Sequence, residues 1–173
     1  MPADTTTRTL VVMRHAKAEQ DGDTDAARRL SDRGVLDAAE AGRWLAAAGV
    51  SPDAALVSAA TRTELTWEAL SDAAGFDAEL VLDEGLYAAG PETALDLVRQ
   101  TESTVTTLVV VGHNPTVAYV AQLLDDGDGD EQSSNEMATG FPTAAMAVFS
   151  FSGDWSDLDE ASATVTAFHV ARA

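Results

Sequence analysis

At 173 residues, with 46% hydrophobic content and no cysteine, the chain has the size of one domain with a substantial core. It offers no disulfide, thiolate ligand or thiol nucleophile. Its 29 Asp and Glu against 10 Lys and Arg give a formal net charge of −19, which argues against nucleic acid and anionic membranes as partners, since both attract basic faces.

The elements alternate. Residues 8–13 read as a buried strand, and residues 19–29 as an acidic surface loop. Ser31 or Asp32 caps a helix running to about Ala48, with Val35, Leu36, Ala39, Trp44 and Leu45 as its apolar positions and Gly49 as its stop. A short strand at 54–57 leads into a helix over 61–74, built on Leu65, Ala69 and Leu70 and closed by Gly75; residues 80–82 make a third strand. Pro91 suits the first turn of a helix reaching about Gln100. Residues 106–111, the most apolar strand, belong at the centre of a sheet, and Asn114 caps a helix from Pro115 to Leu124. After an acidic loop over 125–135, strands at 144–151 and 164–170 form an antiparallel edge hairpin around the acidic turn 153–161. This order predicts a single α/β domain over 1–173, a three-layer sandwich whose mostly parallel central sheet is flanked by helices.

The chemistry concentrates at two strand ends. Leu10-Val11-Val12-Met13 delivers Arg14-His15-Ala16-Lys17, and Leu108-Val109-Val110-Val111 delivers Gly112-His113-Asn114-Pro115. Strand-end turns are where α/β proteins place reacting groups. Arginine matches phosphate geometry and keeps its proton, and positive neighbours keep a histidine neutral and nucleophilic. Arg62, at the start of the second helix, can close on the same face. Eight of the ten cations (Arg8, Arg14, Lys17, Arg28, Arg29, Arg33, Arg43 and Arg62) fall in the first 62 residues. Pairing with carboxylates accounts for Arg8, Arg43, Arg99 and Arg172, and His169, inside a closing strand, reads as structural. Trp44 and Trp67 read as core residues of their helices.

Four pieces in order and spacing make the chain resemble the histidine phosphatase superfamily, specifically its short SixA-type phosphohistidine phosphatases with a phosphoglycerate mutase-like fold. They are Val12-Met13-Arg14-His15-Ala16-Lys17, Arg28-Arg29-Leu30-Ser31-Asp32-Arg33-Gly34, Val57-Ser58-Ala59-Ala60-Thr61-Arg62-Thr63-Glu64-Leu65-Thr66 and Val111-Gly112-His113-Asn114-Pro115. The resemblance implies a hydrolase in which His15 carries phosphate during turnover and Arg14, Arg62 and His113 form the pocket around it. It also implies that Arg28 holds substrate, with Lys17, Ser58 and Asn114 as further substrate-binding positions, and that no metal or other cofactor is needed. Glu84 matches the superfamily's general acid, with Asp83 as its rival. Ala16 departs from the superfamily's Arg-His-Gly signature, in a form the short branch often has.

The expected activity is removal of phosphate from phosphohistidine in proteins. The alternatives are hydrolysis of small phosphomonoesters and a non-catalytic module that binds phosphate or phosphoproteins. Two calcium-loop look-alikes fail, because Glu131 and Ala26 stand where a calcium loop requires glycine. No apolar run reaches bilayer length and the N-terminus lacks a signal pattern, so a cytoplasmic protein is expected. The acidic coat suggests a halophilic setting, where roughly 1 M salt shortens the Debye length to about 3 Å and screens self-repulsion.

Overall fold

Eleven regular elements make up the computed structural model, which describes residues 3–173. In chain order they are β1 (Thr7–Arg14), α1 (Asp32–Ala47), β2 (Ala54–Ser58), α2 (Thr61–Ala74), β3 (Glu79–Asp83), α3 (Pro91–Arg99), β4 (Thr107–Gly112), α4 (Thr116–Leu124), α5 (Glu131–Thr139), β5 (Ala145–Ser152) and β6 (Thr164–Val170). The strands form one sheet in the order β3-β2-β4-β1-β5-β6. β3, β2, β4 and β1 run parallel, while β5 pairs antiparallel with β1 and with β6, giving the expected edge hairpin.

Successive side chains of a strand point to opposite faces, so each strand serves two cores. Leu10, Val12, Leu108 and Val110 pack under α3, α4 and α5 with Leu95, Val120, Leu124 and Met137. Val11, Met13, Val109 and Val111 pack under α1 and α2 with Ala38, Ala41, Leu45 and Leu70. The result is the expected three-layer sandwich.

Ser31 caps α1 by accepting from the Gly34 amide at 3.0 Å. A Cβ at Gly42 would sit 2.1 Å from the Leu70 carbonyl oxygen, so glycine is what lets α1 and α2 touch backbone to backbone. That close contact also corrects the expected buried face of α1. Gly34, Ala38, Ala41, Gly42 and Leu45 face inward, while Val35 and Leu36 are exposed. Leu45 is buried as expected, but small residues line the close contact, and apolar size pointed to the wrong side at Val35 and Leu36.

Three further expectations need correction. The loop over 125–135 ends at Asp130, whose carboxylate caps α5 by accepting from the Ser133 amide at 2.9 Å. α5 buries only Ser133 and Met137, too few positions for an apolar period to show in the sequence. Asn114 does not cap α4, which begins at Thr116 with Pro115 as its unbonded cap; its side-chain amide turns away to the Phe141 carbonyl at 2.7 Å. Arg43 makes no ion pair among the described residues, its charge being left to solvent.

The other structural cations behave as expected. Arg8 is buried against Asp4 at 2.9 Å, Arg99 pairs with Asp96 and Asp159, and Arg172 lies 3.8 Å from Asp37. His169 stacks on Trp44, with ring centroids 4.5 Å apart, and meets Glu40 at 3.0 Å. Trp67 is buried in the core, whereas Trp44 is only partly covered. No helix among the described residues is long and apolar enough to cross a membrane.

Candidate active site

β1 and β4 are parallel neighbours paired through Arg14 and Gly112, yet the helices that follow them lie on opposite faces of the sheet. The chain leaves adjacent strand ends in opposite directions, and a crevice opens there. His15 and His113 are the next residues on each strand. Their ring centroids lie 5.5 Å apart, tilted by 55°.

Each imidazole is held by one hydrogen bond. His15 Nδ1 donates to its neighbour's carbonyl, Ala16 O, at 2.7 Å, which places the ring proton on Nδ1 and leaves the Nε2 lone pair bare. The Ala16 amide is in turn anchored on Thr66 Oγ1 at 3.0 Å, tying this turn to α2. His113 Nε2 shares a 2.7 Å hydrogen bond with Ser58 Oγ at the end of β2. Ser58 is fully buried, so its hydroxyl orients His113; it does not cap α2.

Arg14 and Asn114 both donate to the Phe141 carbonyl, at 3.3 and 2.7 Å, so the segment before β5 braces the two turns together. Arg62, buried at the start of α2, donates to the Asp25 carbonyl at 2.8 Å and to its carboxylate Oδ2 at 3.1 Å. Tyr87 donates its hydroxyl to the same carboxylate oxygen. Its ring lies under the Arg62 guanidinium, 5.9 Å from the centroid, and meets His113 edge-on at 5.4 Å. Arg28 stands 3.6 Å from Asp25 Oδ1.

Burial and positive neighbours set the charge state. His15 is pushed down from its usual 6.5 to about 4, mainly by burial, with Arg62, Arg14 and Arg28 adding to the effect against the opposing bond to Ala16. His113 is likewise lowered to about 4, by burial first and then by Arg62 and the partner histidine. Arg14 is lowered by burial and by Arg62. Asp25 is held below the usual carboxylate range by the Tyr87 hydroxyl, with Arg62 and Arg28 contributing.

These shifts have a direction in stability as well. The unfolded histidines take up protons from pH 6.5 downward while the folded ones refuse them until about 4. The two sites therefore cost the fold nothing above pH 6.5 and progressively more as pH falls through that window. In an NMR titration of ring-labelled protein, His15 and His113 are expected to stay neutral at pH 6 and to titrate near 4. A midpoint near 6.5 for either would refute this electrostatic account.

The Nε atoms of Arg14, Arg28 and Arg62, the Nδ1 of His113 and the acceptor Oδ1 of Asn114 are buried without a hydrogen-bond partner among the described residues. Thus Arg14, His15, Arg28, Ser58, Arg62, His113 and Asn114 form one cluster. Lys17 is exposed, and its carbonyl accepts from the Ser31 amide. Glu84 is exposed and makes no side-chain hydrogen bond or ion pair among the described residues; Asp83 Oδ1 is taken by the Leu86 amide at 3.2 Å. No group of three or more His, Asp or Glu side chains gathers as a metal site would among the described residues. Sequence reasoning missed Asp25, Tyr87 and Phe141. Asp25 looked like one more acid in an acidic loop, and no sequence periodicity links it to Arg62.

Comparison with known proteins gives the same direction as the geometry. The family model of the histidine phosphatase superfamily (branch 1) matches residues 10–88. An uncharacterized protein of Mycobacterium tuberculosis is 39% identical over 162 residues, covering 92% of this chain and all of that one. Among solved structures, a candidate phosphohistidine phosphatase SixA from Nakamurella multipartitia superposes with a TM-score of 0.86 at 31% identity, covering 98% of this chain and 99% of that chain. A second SixA candidate, from Agrobacterium tumefaciens, gives 0.74 at 28% identity, covering 94% and 97%.

Proposed function

Because this chain belongs to the histidine phosphatase superfamily, in its SixA-type branch, we propose that it is a phosphohistidine phosphatase working through a covalent intermediate on His15. The phosphatase character follows from the family. The carrying observation for the mechanism is the cluster of buried donors without acceptors (Arg14, Arg28 and Arg62 Nε, His113 Nδ1) around a histidine whose Nε2 is bare. Buried donors are rarely left unpaired, and a phosphoryl group supplies the acceptors this set lacks.

The reading assigns each residue a task. His15 Nε2 attacks phosphorus, and the bond to the leaving group breaks with its electron pair staying on that group. Arg14, Arg62 and His113 neutralise the equatorial oxygens, worth most in a buried site where their charge is weakly screened. In the tautomer in which Ser58 donates to Nε2, His113 carries its proton on Nδ1, free for a phosphate oxygen. Water then attacks phosphorus and the P–Nε2 bond breaks, returning the pair to His15. Arg28 and Asn114 support the substrate side. No step needs a metal or other cofactor.

The general acid is the open part of the superfamily scheme, since Glu84 is exposed and Asp83 is engaged elsewhere. That favours a substrate whose leaving group departs without strong acid help. An imidazole does so more readily than an alkoxide. A phosphorylated protein is accordingly preferred as substrate over a small phosphomonoester, and a cytoplasmic, salt-adapted setting fits the charge of −19.

The test is the ratio of kcat/KM for a phosphohistidine peptide to that for p-nitrophenyl phosphate, measured with chelator present. The expected ratio is at least tenfold in favour of the peptide. A preference for p-nitrophenyl phosphate would replace this reading with a small-molecule phosphomonoesterase, and no turnover of either would point to the binding module.

A further inference from the structure

A carboxylate at the mouth of an anion pocket works against the anion. Asp25 is nonetheless there, ion-paired with Arg62 and Arg28, and among the described residues no other carboxylate pairs with the cations of the site. It is held from several sides: by Arg62 through both its carbonyl and Oδ2, and by the Tyr87 hydroxyl on Oδ2. The turn that carries it, Asp25–Ala27, is fixed in addition by Thr24, whose hydroxyl accepts from the Ala27 amide at 3.2 Å. Its side chain is 57% exposed while that of Arg62 is 8%, so the carboxylate lies on the solvent side of the guanidinium, and the Tyr87 ring that donates to it stands edge-on to His113. Oδ1 has only the 3.6 Å approach of Arg28 and keeps acceptor capacity to spare.

Repulsion between Asp25 and a bound phosphoryl dianion weakens every phosphate substrate alike. The arrangement becomes favourable only for a substrate that brings a positive N–H donor close to phosphorus. A phosphoimidazole protonated on its second ring nitrogen has that feature; an oxygen ester does not. Resting on the phosphohistidine reading above, we propose that Asp25, positioned by Arg62 and Tyr87, is a specificity-determining residue that accepts the ring N–H of the substrate phosphoimidazole.

The step balances without an acid. The His15 Nε2–P bond forms as the substrate P–N bond breaks, and the electron pair stays on the substrate ring. That ring already carries a proton on its other nitrogen and leaves as neutral imidazole. Asp25 remains ionised throughout, lending its charge to keep the ring protonated and oriented. The step asks no proton of Glu84, which is exposed and makes no side-chain hydrogen bond among the described residues.

The experiment compares wild type, Asp25→Asn and Tyr87→Phe, each intact and checked for folding by circular dichroism, on a phosphohistidine peptide and on p-nitrophenyl phosphate. Asp25→Asn is expected to lower the ratio of the two kcat/KM values at least tenfold, and Tyr87→Phe to lower it in the same direction by less. Should Asp25→Asn fail to fold, the Tyr87→Phe ratio decides. Equal losses on both substrates would make Asp25 a structural clasp for Arg62, and equal gains would make it a plug competing with phosphate; either overturns the proposal while the phosphatase reading stands. If wild type itself does not favour the phosphohistidine peptide, the reading fails and this proposal with it.

Discussion

Replacing His15 with alanine is expected to lower kcat on the order of 10⁴-fold or more, because the variant loses the nucleophile and not merely a contact. The wild type, quenched during turnover of a ³²P-labelled phosphohistidine peptide, should carry acid-labile, alkali-stable label on one histidine. His15→Ala should carry none. The ring is small, buried and bonded to a single carbonyl, so its removal is not expected to prevent folding. Label found on His113 in place of His15 would reverse the assignment, since both rings are neutral and lie 5.5 Å apart. What separates them is geometry: Nε2 of His113 is engaged by Ser58, whereas Nε2 of His15 is bare.

Arg62→Ala is expected to cost about 10² to 10³ in kcat/KM, the size seen when one preorganised donor to a developing negative charge is removed. Arg62→Lys should recover little of this. Lysine restores the charge but not the planar fork, which here has one edge on Asp25 and its Nε free. Inhibition by inorganic phosphate offers an independent reading and should weaken in parallel with kcat/KM. A Lys variant with nearly wild-type rates would show that Arg62 acts only as a positive charge, and the role given to its planar fork would then fall.

Much of the fold was legible because strand and helix periods are strong where a core lies on both sides. The run Leu108 to Val111 feeds both cores through alternate residues and could be read as a central strand without a partner in view. Arg14, His15, Arg62 and His113 were legible for a related reason: each sits within a residue or two of an element boundary that the pattern marks. The misses have a common physical cause. Val35 and Leu36 were assigned inward by their size, but the contact of Gly42 with Leu70 turns the face carrying Gly34, Ala38, Ala41 and Leu45 toward α2 and leaves both exposed. The capping roles of Ser31 and Asp130 depend on local backbone geometry, and only the first was flanked by enough apolar sequence to be noticed. Asp25 and Tyr87 meet across 62 positions of chain, a contact that composition and periodicity do not encode.

The level pairing of Arg14 with Gly112 has a consequence for how such a catalyst can change. The separation of the two imidazoles is inherited from the repeat distance of the sheet, about 4.8 Å between strands, and not from the shape of any loop. The part that handles phosphorus is thereby insulated from alteration: a one-residue slip would turn a histidine to the wrong side and is not a small step. The parts that meet the rest of the substrate, around Asp25, Tyr87 and Phe141, hang on connections outside that lattice. Substitutions, insertions and deletions there can retune which leaving group is accepted while the two-imidazole spacing stays put, so a change of diet need not endanger the reaction itself.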